Sequence, residues 1–377
     1  MRVLVYIFGV VFLFPIQIIA QKTYQSEGYK FSIEFENQAT SIKDQALSNT
    51  CWSFSTLSMI ESELLKEGKD SYDLSEMYIV YFTYLKKAEQ YIRMHGNNSF
   101  SGGGALDDPV NIMKEYGIVP EAAYLGRKYD FQLHNHEKLD EELKTYMDKI
   151  LSDESLLSTF WMDSVEIILQ EHLGKIPGKF KFNDQDYDAI KFAKELDIHY
   201  DDYVLLSSFS HHPFYSKFIL EVPDNWNWGE VYNVKMKEIT RIIDYALKNG
   251  YTVAWAADVS EDYFSWEDGV AVIPESSYIS KDEIFKQPGK EMEITQEIRQ
   301  KAFDSYETTD DHGMQIIGLA KDQKGSDYYL VKNSWGTLGN KFNGYLFISK
   351  SYVEYKTLSF YLNKKAIPKD IRIKLGI

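Results

Sequence analysis

Three residues of this chain have side chains able to do covalent chemistry together: one thiol, one histidine ahead of an apolar run, and one asparagine backed by an indole. Cys51 is the single cysteine among 377 residues and stands in Gln45-Ala46-Leu47-Ser48-Asn49-Thr50-Cys51-Trp52-Ser53-Phe54. A lone thiol closes no disulfide within its own chain and joins no multi-cysteine metal cluster. It is therefore either a small buried hydrophobe or a nucleophile. Residues 52–66 place Trp52, Leu57, Ile60, Leu64 and Leu65 near one face at helical spacing, with Glu61, Glu63 and Lys66 mostly opposite, and Gly68 closes the run. Cys51 is thus predicted at a helix start, where unpaired N–H groups and the helix dipole favour an anion and lower a thiol's pKa. Upstream, the amide of Gln45 offers a donor for an oxyanion.

The partners of such a nucleophile lie near the other end of the chain. Asp310-Asp311-His312-Gly313-Met314-Gln315-Ile316-Ile317-Gly318 sets a histidine just before a strand-like stretch. Tyr328-Tyr329-Leu330-Val331-Lys332-Asn333-Ser334-Trp335-Gly336 ends another such run on an asparagine and a tryptophan. An imidazole can share a proton with the thiol while an Asn carbonyl fixes its tautomer, the Cys-His-Asn form of the catalytic triad. Alone, His312 would read as an ordinary surface or core histidine; the three segments together point to catalysis.

These three blocks, in this order, resemble the signature segments of papain-like cysteine peptidases. The match to the C-G-[SA]-C-[WY] pattern is partial, because Ser48-Asn49-Thr50-Cys51-Trp52 replaces the first Cys and the Gly. His312 also follows Cys51 at a distance well beyond the roughly 130 to 150 residues of plain papain-type enzymes, so something is inserted. A long insertion, a single cysteine and no bulky propeptide are similar to the bleomycin hydrolase and aminopeptidase C branch. Further stretches resemble that branch: Leu74 to Tyr78, Lys86 to Glu89, Tyr116 to Pro120, Asp202 to Leu206 and Thr252 to Trp255.

The resemblance implies an α+β, papain-like two-lobe fold with a helical left lobe, a β-barrel-like right lobe and a largely helical insertion at 131–250. It implies Cys51 as nucleophile, His312 as its proton partner, Asn333 as orienter, Gln45 as oxyanion donor, Trp335 shielding the His–Asn bond, and Gly103 and Gly104 lining the substrate cleft. In that branch a homo-hexamer encloses the active sites, and the C-terminal tail enters the cleft to select substrates with a free amine. Here residues 364–377 have a suitable length but are more basic than expected; an exposed, frayed terminus is the alternative. The implied activity is that of an aminopeptidase acting on peptides. An endopeptidase with the same triad, or a non-catalytic peptide-binding protein on this scaffold, are the alternatives.

The elements that must position these groups can be read coarsely. Residues 51–130 read as mostly helical, with Ser101-Gly102-Gly103-Gly104 as a sharp loop before a helix from Asp107 to Tyr116. Within 131–250, helices are expected near 137–151, 154–173, 186–196 and 234–248. Strands are expected at 251–259, 313–319, 328–332 and 344–349. With 44% hydrophobic and 15% aromatic residues the chain can bury a large core. Its net charge of −16 argues against nucleic acid, since phosphate binding needs a basic surface.

Residues 1–20 read as an export signal: Met1-Arg2, then an almost wholly apolar run from Val3 to Ile19, then Ala20-Gln21 as a cut. No stable membrane span is expected once that segment is removed, and a periplasmic or extracellular location follows. Stability without cysteine pairs must come from packing, and a free thiol there should make activity rise with reductant. His134-Asn135-His136 and His211-His212 lack convincing metal-ligand spacing, so neither a metal nor any other cofactor is expected. Asn97-Asn98-Ser99 matches a glycosylation acceptor, relevant only in a eukaryotic secretory pathway.

Overall fold

The computed structural model of the chain describes residues 22–128, 133–153, 156–157, 160–276 and 279–377. The expected signal at 1–20 lies outside them. A mixed sheet forms the backbone of the molecule, in the order Lys217–Ile219, Glu230–Asn233, Tyr203–Ser207, Thr357–Asn363, Val253–Ala257, His312–Lys321, Asp327–Lys332, Tyr345–Ser349, Val270–Ala271, Phe264–Ser265. The strand His312–Lys321 is its pivot. Residues 312–316 pair with Val253–Ala257, while residues 318–321 pair with Lys30–Glu36. Along its other edge it pairs with Asp327–Lys332, the strand that leads into Asn333.

Alternation along Val253–Ala257 divides two cores, because successive strand side chains point to opposite faces. Ala254 and Ala256 pack with the helices Cys51–Lys66, Glu76–Arg93 and Asp108–Tyr116. Val253, Trp255 and Ala257 pack on the far side with the helix Met236–Lys248. The small alanines let the helix Cys51–Lys66 lie close against the sheet. A third core joins the N-terminal strand to the sheet through Phe31 and Phe347, whose rings stack 3.9 Å apart.

The interval 131–250 divides between the two lobes. Its helices Glu137–Ser152 and Trp161–Leu173 thicken the helical lobe, burying Leu139, Leu143, Val165 and Leu169 against it. Part of the segment read as a helix from 154 lies outside the described residues. A hairpin, Phe180–Phe182 with Gln185–Tyr187, turns on Asn183 and Asp184, both at positive φ, as a two-residue hairpin loop requires. From Tyr203 onward the chain joins the large sheet, so this part of the expected helical insertion belongs structurally to the β lobe. Tyr203 and Val204 favoured that strand; the helical signal of residues 234–248 masked it.

The tail neither frays nor enters a cleft. Residues 369–375 form a helix that buries Ile371 and Leu375 in the same core as Met236–Lys248. Arg241 donates two hydrogen bonds of 2.7 Å to the carboxylate of Asp370, and Lys374 pairs with Glu238 at 2.9 Å. Three of the tail's basic residues meet acids, Lys364 and Lys365 at Asp202 and Lys374 at Glu238. The tail sits on the sheet face opposite the helix that begins at Cys51. Among the described residues no helix is long and apolar enough to cross a membrane.

The helix Cys51–Lys66 departs from its amphipathic reading, since Glu61 and Glu63 are buried. Both lobes press on it, so each charge is held by partners instead of water. Glu61 accepts from Thr40 Oγ1 at 2.6 Å and from the Leu74 N–H at 2.9 Å. Glu63 accepts from Tyr203 Oη at 2.9 Å and Asn363 Nδ2 at 3.2 Å, yet burial pushes its carboxyl up to about 7. A raised folded-state pKa gives stability that is present below the unfolded value near 4.5 and is lost as pH rises through 7. Glu63→Gln should therefore remove about 3 kcal/mol of the wild-type stability loss between roughly pH 4.5 and 7, read from urea midpoints across that range.

Candidate active site

Cys51 opens its helix, and the loop that delivers it is conformationally demanding. Ala46 and Asn49 both adopt positive φ, 48° and 58°. Asn49 stands where the papain-type pattern has glycine, and asparagine is among the few residues that tolerate this region. Ser48 Oγ and Thr50 Oγ1 lie 2.5 Å apart beneath the turn. The Cys51 side chain is half-buried, and the backbone N–H groups of Trp52 and Gly313 favour its thiolate form.

Gly313 lets the strand that carries His312 lie against the start of the Cys51 helix. Its α-carbon faces the Cys51 carbonyl so closely that an added Cβ would lie 3.2 Å from that oxygen and 2.9 Å from Ser55 Oγ. A polar seam fixes this register. Gln315 Nε2 donates to Ser58 O, Ser62 Oγ and Thr252 Oγ1 at 3.1, 2.8 and 3.0 Å, while Gln315 Oε1 accepts from Ser58 Oγ at 2.7 Å. Helix and strand are stitched together about two to three turns along the helix from the thiol.

Asn333 sets the tautomer of His312. Its Oδ1 accepts from the Ser334 N–H at 2.8 Å, which identifies that atom as the oxygen, and it lies 2.6 Å from His312 Nε2. Nε2 must then carry the proton, leaving Nδ1 as the basic nitrogen. Trp335 stacks on the imidazole with ring centroids 4.5 Å apart and is itself packed on Trp266. Gln45 is buried and is held at both ends of its residue: its backbone N–H donates to Ser334 O at 2.8 Å, and its Oε1 accepts from Ser334 Oγ at 2.7 Å. With the oxygen occupied, Nε2 is the end left to donate.

Burial alters the electrostatic expectation. It pushes the Cys51 thiol up to about 12, with Asp224 and Asp310 adding to the rise, while the Gly313 and Trp52 N–H groups oppose it. Burial pulls His312 down to about 4, against the Asn333 hydrogen bond and Asp311, which favour its protonated form. Taken singly, both groups are held neutral; the helix terminus does not by itself ionise the sulfur. Desolvation outweighs the dipole, a balance invisible without knowing the burial.

The glycine loop is clamped on this centre. Trp52 Nε1 donates to Gly102 O at 3.0 Å, and Lys87 Nζ donates to the carbonyls of Ser101 and Gly103. A Cβ on Gly104 would lie 2.8 Å from the Trp52 ring, so close packing requires that glycine. Gly103 is different: its missing Cβ would fall 2.0 Å from Asp224 Oδ2. Asp224 was not among the residues singled out from sequence, and Asp310 was seen only as part of the histidine segment.

The paired histidines do other work. Gln300 Oε1 accepts from the Ser210 N–H, so Gln300 Nε2 donates to His211 Nδ1 at 2.9 Å. His211 then carries its proton on Nε2, which faces Glu221 at 3.1 Å. His212 Nε2 is 2.8 Å from the same carboxylate. His211, His212 and Glu221 are near enough to share an ion, but a nitrogen occupied by a proton is no ligand. Burial lowers His134 to about 4 and His136 to about 3; both are buried and stay neutral at physiological pH.

A thiol against a strand that presents an oriented imidazole, between a helical lobe and a sheet, defines a cysteine peptidase with an α+β, papain-like fold. The model of the Peptidase C1-like family matches residues 16–376, and the chain belongs to that family. It is 24% identical to aminopeptidase C of Lactobacillus helveticus over 91% of this chain and 83% of that one. It is 22% identical to bleomycin hydrolase of Gallus gallus, over 88% and 81%. The crystal structure of pepw from Lactobacillus rhamnosis superposes with a TM-score of 0.73 at 18% identity, covering 91% of this chain and 84% of that one.

Proposed function

We propose that this chain is an exported cysteine aminopeptidase that removes residues from the N-terminus of peptides through a thioester on Cys51. The His312–Asn333 pair at 2.6 Å carries the reading, because it leaves Nδ1 free to take the thiol proton as sulfur attacks the scissile carbonyl. The Gln45 amide and the Cys51 N–H, at a helix position with no intrahelical carbonyl, stabilise the oxyanion. His312 then protonates the leaving amine, and water releases the acyl group with His312 as base. The likeness to aminopeptidase C supports exopeptidase action, and the apolar run at 3–19 supports export. A digest of matched peptides with free and N-acetylated ends tests the specificity: free ends alone should be trimmed. Equal cleavage of both would make the enzyme an endopeptidase.

A further inference from the structure

The docking of residues 369–375 on the far face of the sheet leaves open what would recognise a substrate's amine, and two carboxylates whose field reaches the thiol answer it. Asp224 lies against Gly103 on the glycine loop, and Asp310 enters the strand that carries His312. They line one cavity of about 490 Å³ with Val222 and Phe303, and His211, Glu221 and Asp304 are other titratable groups that face it. Neither makes a hydrogen bond or ion pair with any other described residue, whereas Asp311 next door is held by the Val259 and Ser260 N–H groups and Thr309. Lys87 acts on Asp224 through space, but its ammonium is already committed to the carbonyls of Ser101 and Gly103.

The position of Asp224 is built. Its loop is fastened to the start of the helix Asp108–Tyr116 by Trp226 Nε1 and Asn227 Nδ2, which donate to Asp108 at 2.8 and 3.1 Å. Asn98 Nδ2 donates to Trp226 O at 2.8 Å, and Asn225 Oδ1 accepts from the Gly229 N–H at 2.7 Å. A loop held by four such bonds delivers a carboxylate onto Gly103, where an extended substrate would have to pass. Asp310 is set deep enough that burial and the charges of Asp224 and Asp311 lift its carboxyl to about 8. Before substrate binds, Asp310 therefore keeps its proton near neutral pH, and a cation placed between the two carboxyls would favour its ionised form.

We propose that Asp224 and Asp310 together bind the α-ammonium group of the substrate's N-terminal residue, while the Asp224 loop closes the cleft to longer chains. The proposal rests on the aminopeptidase reading and names its recognition element. A bound ammonium would be shared between the two carboxylates by charge-assisted hydrogen bonds, setting one residue between amine and scissile carbonyl. Acetylation removes the charge and adds bulk where Asp224 stands.

The test compares kcat/KM for an aminoacyl amide and its N-acetyl counterpart in the full chain and in Asp224→Asn, Asp310→Asn and the double variant. Folding is checked by stoichiometric alkylation of Cys51 with iodoacetamide. Each variant should lose roughly 10- to 100-fold on the free-amine substrate with no loss on the acetylated one. If the wild type prefers free amines and the variants keep that preference, the anchor is overturned while the aminopeptidase reading stands. Equal losses on both substrates would also overturn it, by showing a structural role. A wild type indifferent to acetylation removes both. Should a variant not fold, the wild-type ratio of the aminoacyl amide to its des-amino analogue decides. It should fall about tenfold from pH 9 to 10, where Asp310 is already ionised and the substrate amine, with a pKa near 8, is losing its remaining protonated fraction. A flat ratio refutes the anchor.

Discussion

Cys51→Ser should lose peptide hydrolysis by about 10⁵–10⁶-fold, a size comparable to removing the nucleophile of other acyl-transfer enzymes. The hydroxyl would occupy the same helix start and is close to the thiol in size, so the fold and cleft should persist. The chemistry would not. Burial already holds the thiol up to about 12 and the imidazole down to about 4, and the reaction depends on a proton crossing that gap as the two charges form together. A serine hydroxyl, far less acidic than a thiol, widens the gap, and the oxygen is a poorer nucleophile at equal geometry. Single-turnover assays with a fluorogenic aminoacyl amide, alongside a thermal melt, check the expectation. A fully active, normally melting variant would sink the nucleophile assignment and with it the triad.

The proposed trio stood out because its chemistry is rare in sequence. One cysteine, a histidine before a strand and an asparagine before a tryptophan leave few other pairings, and the strand His312–Lys321 with its neighbour Asp327–Lys332 places two of the three on adjacent strands. What escaped depends on contacts between distant segments. The seam of Ser58, Ser62, Thr252 and Gln315 is made of side chains that read individually as surface polar residues. Glu61 and Glu63 kept the spacing of a solvated face although both lobes cover them. The strand Tyr203–Ser207 was absorbed into a helical interval because short apolar runs do not distinguish strand from helix. Asp224 had no local signal at all; only the loop clamped by Asp108 brings it to Gly103.

Gln45→Ala should cost on the order of 10²–10³ in kcat, the usual loss for one oxyanion donor, with little change in KM. The argument turns on which end of the amide is free. Ser334 Oγ donates to Gln45 Oε1 at 2.7 Å, and the backbone bond to Ser334 O at 2.8 Å holds the residue in register. Nε2 is thereby committed to one direction before substrate arrives, and such preorganised donors stabilise charge that develops only in the transition state. Gln45→Glu separates this role from packing. It keeps the shape and the acceptor for Ser334 but replaces the donor with an oxygen, so it should be at least as slow as the alanine variant. Ser334→Ala should release the amide and cost less, roughly 10-fold, because the donor survives but loses its fixed direction. Equal rates for Gln45→Glu and wild type would mean that the oxyanion is held elsewhere.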